Sequence, residues 1–121
     1  MTDNALLPDL ERLCDDALSA LSPVYDAAEY ALRTAVTVDG RINADAFDDH
    51  QFAAHGFAWF TTYVTALGQM KAWAGRLKDQ DKFGTLEHLI LQSAFGEYLA
   101  QIIGGIPMSQ GEIIHLSTLG V

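Results

Sequence analysis

At 121 residues, half of them hydrophobic, the chain fits one domain that can bury a core without metal or disulfide help. The net charge of −9 is lopsided: residues 1–50 carry eleven acids against Arg12, Arg33 and Arg41, whereas residues 51–121 are nearly balanced. That distribution argues against nucleic acid and anionic membrane as partners, because both require a basic footprint.

The first predicted helix covers Pro8–Leu21, with Pro8 acceptable in a first turn. Its apolar side is Leu6, Leu10, Leu13, Cys14, Ala17, Leu18 and Leu21. Cys14 is the lone cysteine, so no internal disulfide can form, and its position makes it a small core residue rather than a nucleophile. The acidic N-terminus, broken by Pro8, is not a signal peptide, and the cytoplasm is the expected compartment. Ser22-Pro23 predicts a helix restart that runs to Thr37. The Asp39-Gly40 pair marks a turn, taken as a helix–helix loop because its flanks lack strand alternation; no segment is predicted as a strand.

Asn43 or Asp45 caps a third helix that continues to Lys78, roughly 50 Å at about 1.5 Å per residue. Gln51 to Met70 contains no Asp, Glu, Lys or Arg. The window has the length of a membrane span, but Gln51, His55, Thr61, Thr62, Thr65 and Gln69 are scattered through it. Gln51, His55, Thr62, Thr65, Gln69 and Arg76 form one polar stripe, and the remaining circumference is apolar. Such a helix is buried on most sides and is the expected central post.

Asp79–Gly84 is a charged loop, and Thr85 is the candidate N-cap of a fourth helix that ends at Ile103. Its polar stripe is Glu87, His88, Gln92, Glu97 and Gln101. Gly104-Gly105 with Pro107 stops it. Ser109-Gln110-Gly111-Glu112 has the form of a capping box for a short fifth helix. The expected architecture is all-α, an up-and-down bundle of about five helices forming a single domain over residues 1–121. Two nearly all-apolar helices exceed what two acidic amphipathic helices can cover. The surplus aromatic residues, Phe52, Trp59, Phe60, Tyr63, Phe95 and Tyr98, are therefore expected at an interface with a second copy or another domain.

Candidates for chemistry are weak. Glu112 and His115 have the Glu-x-x-His spacing of a carboxylate metal site, but the motif occurs once where di-iron bundles use two. His50 and His55 lie about 140° apart on a helix, so with Asp48 and Asp49 they do not converge on one ligand. Glu97 could be a buried base, but it shares its stripe with Gln92 and Gln101 and has no nucleophile beside it. Gly104-Gly105-Ile106-Pro107 lacks the spacing of a phosphate loop. No catalytic, cofactor-binding or metal-ligating residue is expected.

Residues Ala94–Glu112 (AFGEYLAQIIGGIPMSQGE) resemble the N-terminal extension of certain long acyl-CoA dehydrogenases, of the methylsuccinyl-CoA dehydrogenase type. His50–Gly56 with Trp59 and Tyr63, and Gln69–Ala74, add to the likeness, which spans essentially the whole chain. The resemblance implies a parent enzyme of several hundred residues that binds FAD and oxidises a branched acyl-CoA to its enoyl-CoA. The catalytic glutamate and the flavin- and CoA-binding segments of that family lie beyond such an extension, so none maps here. The implied role is a helical domain packed on the catalytic core or at a subunit interface. The competing reading is a free-standing homodimeric helical bundle without enzymatic activity; a ferritin-like metal carrier is weakened by the single Glu-x-x-His.

Overall fold

A computed structural model describes residues 5–121 as three long helices, a short fourth and two small hairpins. The all-α expectation holds for the body of the chain, and its departures are local. Helix α1 (Leu10–Val36) runs without interruption for 27 residues, with Pro23 inside it, rather than restarting at Ser22-Pro23. A proline inside a helix removes one hydrogen bond and costs about 3 kcal/mol. Ser19, Ser22 and Pro23 are exposed, so the carbonyl that Pro23 leaves unbonded can be hydrated, while Leu21 and Ala28 hold the helix to the core from the other side.

Asp39-Gly40 makes a hairpin, not an open loop. Strands β1 (Thr37–Val38) and β2 (Arg41–Ile42) pair antiparallel, Thr37 opposite Ile42 and Val38 opposite Arg41. Both turn residues have positive φ, 51° and 76°, the signature of the tight turn that matches strand twist. Two-residue strands are too short to show alternation, which is why the sequence pattern concealed them.

Asn43 caps α2 (Ala44–Asp49), its side chain accepting from the Ala46 N–H at 2.9 Å. The expected long third helix then breaks at His50 (φ −117°, ψ 24°), whose ring N–H donates to the Ala46 carbonyl at 2.8 Å. Helix α3 (Gln51–Asp79) follows, 29 residues long. Helix α4 (Thr85–Gly104) is capped at Gly84, one residue before the expected Thr85, and the Gly84 N–H donates to the Glu87 carboxylate at 3.0 Å. It ends at Gly105, where φ is 126°.

The predicted fifth helix is absent. Strands β3 (Ile106–Pro107) and β4 (Ile113–Ile114) form a second hairpin around a 3₁₀ turn at Ser109–Gly111. Gln110 and Gly111 both adopt left-handed backbone, which ends any helix, and pairing lets Ile106 and Ile114 enter the core together. A second 3₁₀ turn, Leu116–Leu119, closes over α1 and α3.

Helix α3 is the central post. It runs antiparallel to α1, with ion pairs Lys71–Asp15 (3.2 Å) and Lys78–Glu11 (2.7 Å) and Tyr25 of α1 packed on Phe57 and Phe60. On its other side it runs antiparallel to α4, where Tyr63 stacks on Tyr98 with ring centres 4.3 Å apart. Phe60, Leu67, Leu91, Ile114 and Cys14 are the largest fully buried side chains. Gln92, expected on an outward stripe, instead ties down residues 5–7: its carboxamide accepts from Leu7 N–H at 2.8 Å and donates to Ala5 carbonyl at 2.7 Å.

Cys14 occupies the core as expected, and burial pushes its thiol from 9.0 up to about 11, against an opposing pull from Lys71. Burial also raises the Tyr63 hydroxyl, with Tyr98 and Glu97 adding to the effect. Both groups hold their protons more tightly folded than unfolded. The Cys14 contribution is complete below pH 9 and is lost as pH rises toward 11, and that of Tyr63 begins to fall only above pH 10. Urea melts should weaken by roughly 1–3 kcal/mol across that window, and Cys14→Ala should flatten the fall. Native Cys14 should react with thiol reagents no faster than the chain opens.

Candidate functional site

Helix α3 buries Phe60, Tyr63, Leu67 and Ala74, and what remains outside is a single regular stripe. Gln51, His55, Ala58 and Thr62 are exposed, and the stripe continues through Thr65, Gln69, Ala72 and Arg76. The steps alternate four and three, the spacing at which successive side chains stay on one side of a helix and meet a neighbouring helix along its length. No acid lies on this stripe, and Arg76 at its end is its only base. In a chain of net charge −9 this is an electrically quiet face. Among the described residues, Arg76 has no carboxylate within ion-pairing distance.

The face is flanked by two indoles held in place. Trp59 donates its Nε1–H to His55 Nε2 at 3.2 Å, the rings edge-on. Trp73 borders a groove of about 570 Å³ between α3 and α4, with Leu67 and Met70 below, Ile90, Ala94 and Tyr98 along the α4 side, and Gln69 and Arg76 at the lip. Ile90 is 43% exposed and Leu86, one turn earlier, 65%. The groove is set by size: Ala66 and Ala94 leave the gap that larger side chains would close.

The six aromatic residues expected at an interface divide. Phe60 (0% exposed), Tyr63 (8%) and Phe95 (4%) are consumed by the chain's own core, because α1, α4 and the β3–β4 hairpin close on α3 more completely than the charge pattern suggested. Phe52 is exposed, and Trp59 and Tyr98 are half-buried. Ala58 and Ala72 belong to the exposed stripe yet are invisible to a search for polar residues; the unbroken four–three spacing is the signal that finds them.

The candidates for chemistry do not converge. Glu112 and His115 flank strand β4 instead of sharing a helix face, so their i,i+3 spacing does not bring them together. His50 closes α2 while His55 bonds Trp59, and the two do not meet. Glu97 is exposed and accepts from Gln101 Nε2 at 2.7 Å; Gln101 in turn accepts the Tyr63 hydroxyl. Among the described residues no group of three or more His, Cys, Asp or Glu is placed to hold a metal, and no helix is long and apolar enough to cross a membrane. What this face can do is pack.

No protein-family model matches the chain. Over all 121 residues it is 50% identical to the (2S)-methylsuccinyl-CoA dehydrogenase of Cereibacter sphaeroides, and it spans 22% of that enzyme's length. The resemblance read from the sequence is thus borne out along the whole chain, from the acidic first helix to the second hairpin.

Proposed function

We propose that the chain is a helical packing and assembly domain of a longer FAD-dependent acyl-CoA dehydrogenase, one that oxidises a branched acyl-CoA to its enoyl-CoA. The observation that carries this reading is the pairing of full-length identity here with 22% coverage of the relative. The acid-free α3 face and the apolar groove beside it supply the contact such a role needs, since an exposed apolar groove on a lone monomer is a liability.

The chemistry belongs elsewhere in that enzyme. FAD requires a run of backbone N–H groups around its pyrophosphate and a slot for its ring. The α3–α4 groove offers as polar groups only Gln69, Arg76, Tyr98 and the Trp73 indole N–H, split between two helices rather than gathered at a helix N-terminus. These residues do not fit the cofactor, and no step of the oxidation runs through them. The domain's work is to fix how the catalytic part and its copies sit together.

The gene product purified from its own source tests this reading. It should be several times heavier than 13.2 kDa, carry the absorbance of a flavin, and contain these 121 residues. A colourless product of 13.2 kDa would contradict it.

A further inference from the structure

We propose that the groove between α3 and α4 seats a helix from the rest of the longer enzyme, one that brings an apolar stripe to the groove and a carboxylate to Arg76. This rests on the proposed packing role and names, by its chemistry, the partner that meets the groove. More than three quarters of the relative's length lies outside the segment that matches this chain, so such an enzyme has the polypeptide to supply it.

The walls of the groove select a helix. Ala66, Met70 and Trp73 line one side and Ile90, Ala94 and Tyr98 the other, each row stepping three or four residues along its helix. Rows of that spacing are the ridges between which the side chains of a further helix lodge. Both walls are α-helical, so their backbone groups are already paired and offer no edge to a strand. The groove is open along one side, whereas a small ligand is held where most of its surface is enclosed. From Ala66 to Arg76 it runs about 15 Å at 1.5 Å per residue, nearly three turns of helix. A helix laid there buries Ile90 and, one turn beyond it, Leu86, both exposed in the chain alone.

The groove also lies where a further helix has room. α1 is tied to Lys71 and Lys78 of α3. At about 100° per residue, Ala66, Met70 and Trp73 point roughly 120° round α3 from those lysines, so α1 leaves the groove uncovered.

Charge selects the carboxylate. Acids outnumber bases sixteen to seven in the chain, and Lys71 and Lys78 are both paired. Arg76 stands exposed at the lip of the groove, and among the described residues no carboxylate lies within ion-pairing distance of it. Its guanidinium presents a planar fork that takes a carboxylate through two parallel hydrogen bonds. No acid lines the groove, so an incoming carboxylate meets no like charge there.

The flavin-carrying gene product, with Ile90 replaced by the photo-crosslinker benzoylphenylalanine, tests this. Irradiation should join position 90 to a peptide outside these 121 residues, in a stretch with apolar residues three and four apart and an Asp or Glu among them. In a second variant, Ile90→Cys should be alkylated about ten-fold more slowly in that product than in the 121-residue chain alone. Adding Arg76→Glu should restore most of the rate, and adding Arg76→Lys should restore little of it. Ile90 and Arg76 are exposed, so helical circular dichroism should not change. A cross-link to these residues in a second copy, a cross-linked segment without an acid, equal alkylation in the two settings, or an Arg76→Glu without effect would each overturn the assignment. If the product is the longer flavoprotein and its groove is open, the packing role stands on other surfaces and only this partner falls. If the product is a colourless chain of 13.2 kDa, the packing role falls and this partner with it.

Discussion

Replacing Gly56 with leucine is expected to leave no cooperatively folded chain, and Gly56→Ala to cost about 2–3 kcal/mol, a large share of a stability of roughly 5–15 kcal/mol. Gly56 lies one turn into α3, where Ile114 of the second hairpin presses on the helix backbone. A Cβ built there would sit 2.3 Å from Ile114 Cγ1 and 2.4 Å from its Cδ1. Ile114 is 1% exposed and cannot swing aside. Alanine is otherwise the better helix former by about 1 kcal/mol, so the net loss understates the collision by about that much. Ile114→Ala by itself should cost about 2–5 kcal/mol by leaving a cavity. In that background Gly56→Ala should become neutral or stabilising in urea melts. An equal cost in both backgrounds would show that Ile114 is not what Gly56 accommodates.

Phe60→Ala should destabilise the chain by about 3–5 kcal/mol, while Phe52→Ala should change it by less than about 1 kcal/mol. The two phenylalanines are eight residues apart on α3, little more than two turns, and the sequence assigns them to the same aromatic surplus. Phe60 is fully buried beside Tyr25, whereas Phe52, in the first turn of α3, is 41% exposed. The expected reversal is in assembly: Phe52→Ala should weaken association of a chain whose fold it leaves intact. Comparable losses of stability from both substitutions would contradict this division.

Helical content was legible because its signals are long: charge-free windows, polar stripes and glycine stops repeat over five or more turns. Asn43 as a cap, Gly104-Gly105 as a stop and Cys14 as a core residue all follow from residue type and position. What escaped is shorter than one period. Two-residue strands have no alternation to detect, and the Ser109–Glu112 capping box was overridden by left-handed Gln110 and Gly111 and by the burial of Ile106 and Ile114. Ser22-Pro23 signalled a restart that packing on both sides of Pro23 cancelled. The docking face was half visible. Its polar members stood out, but Ala58 and Ala72 were counted with the apolar circumference, and the burial of Phe60, Tyr63 and Phe95 depends on how tightly α1 and α4 close on α3. Tertiary approach of that kind has no local signature.

The most direct test of the packing role is to remove the matching segment from the Cereibacter sphaeroides methylsuccinyl-CoA dehydrogenase and compare mass, thermal midpoint and flavin spectrum with the intact enzyme. The shortened enzyme should keep its flavin spectrum, because the packing role gives this domain no part in seating the cofactor. It should lose its native assembly or melt several degrees lower, and adding the 121-residue chain back should reverse the change. Unchanged mass and midpoint would contradict an assembly role. Loss of flavin from an otherwise folded, correctly assembled core would instead place part of the chemistry in this domain.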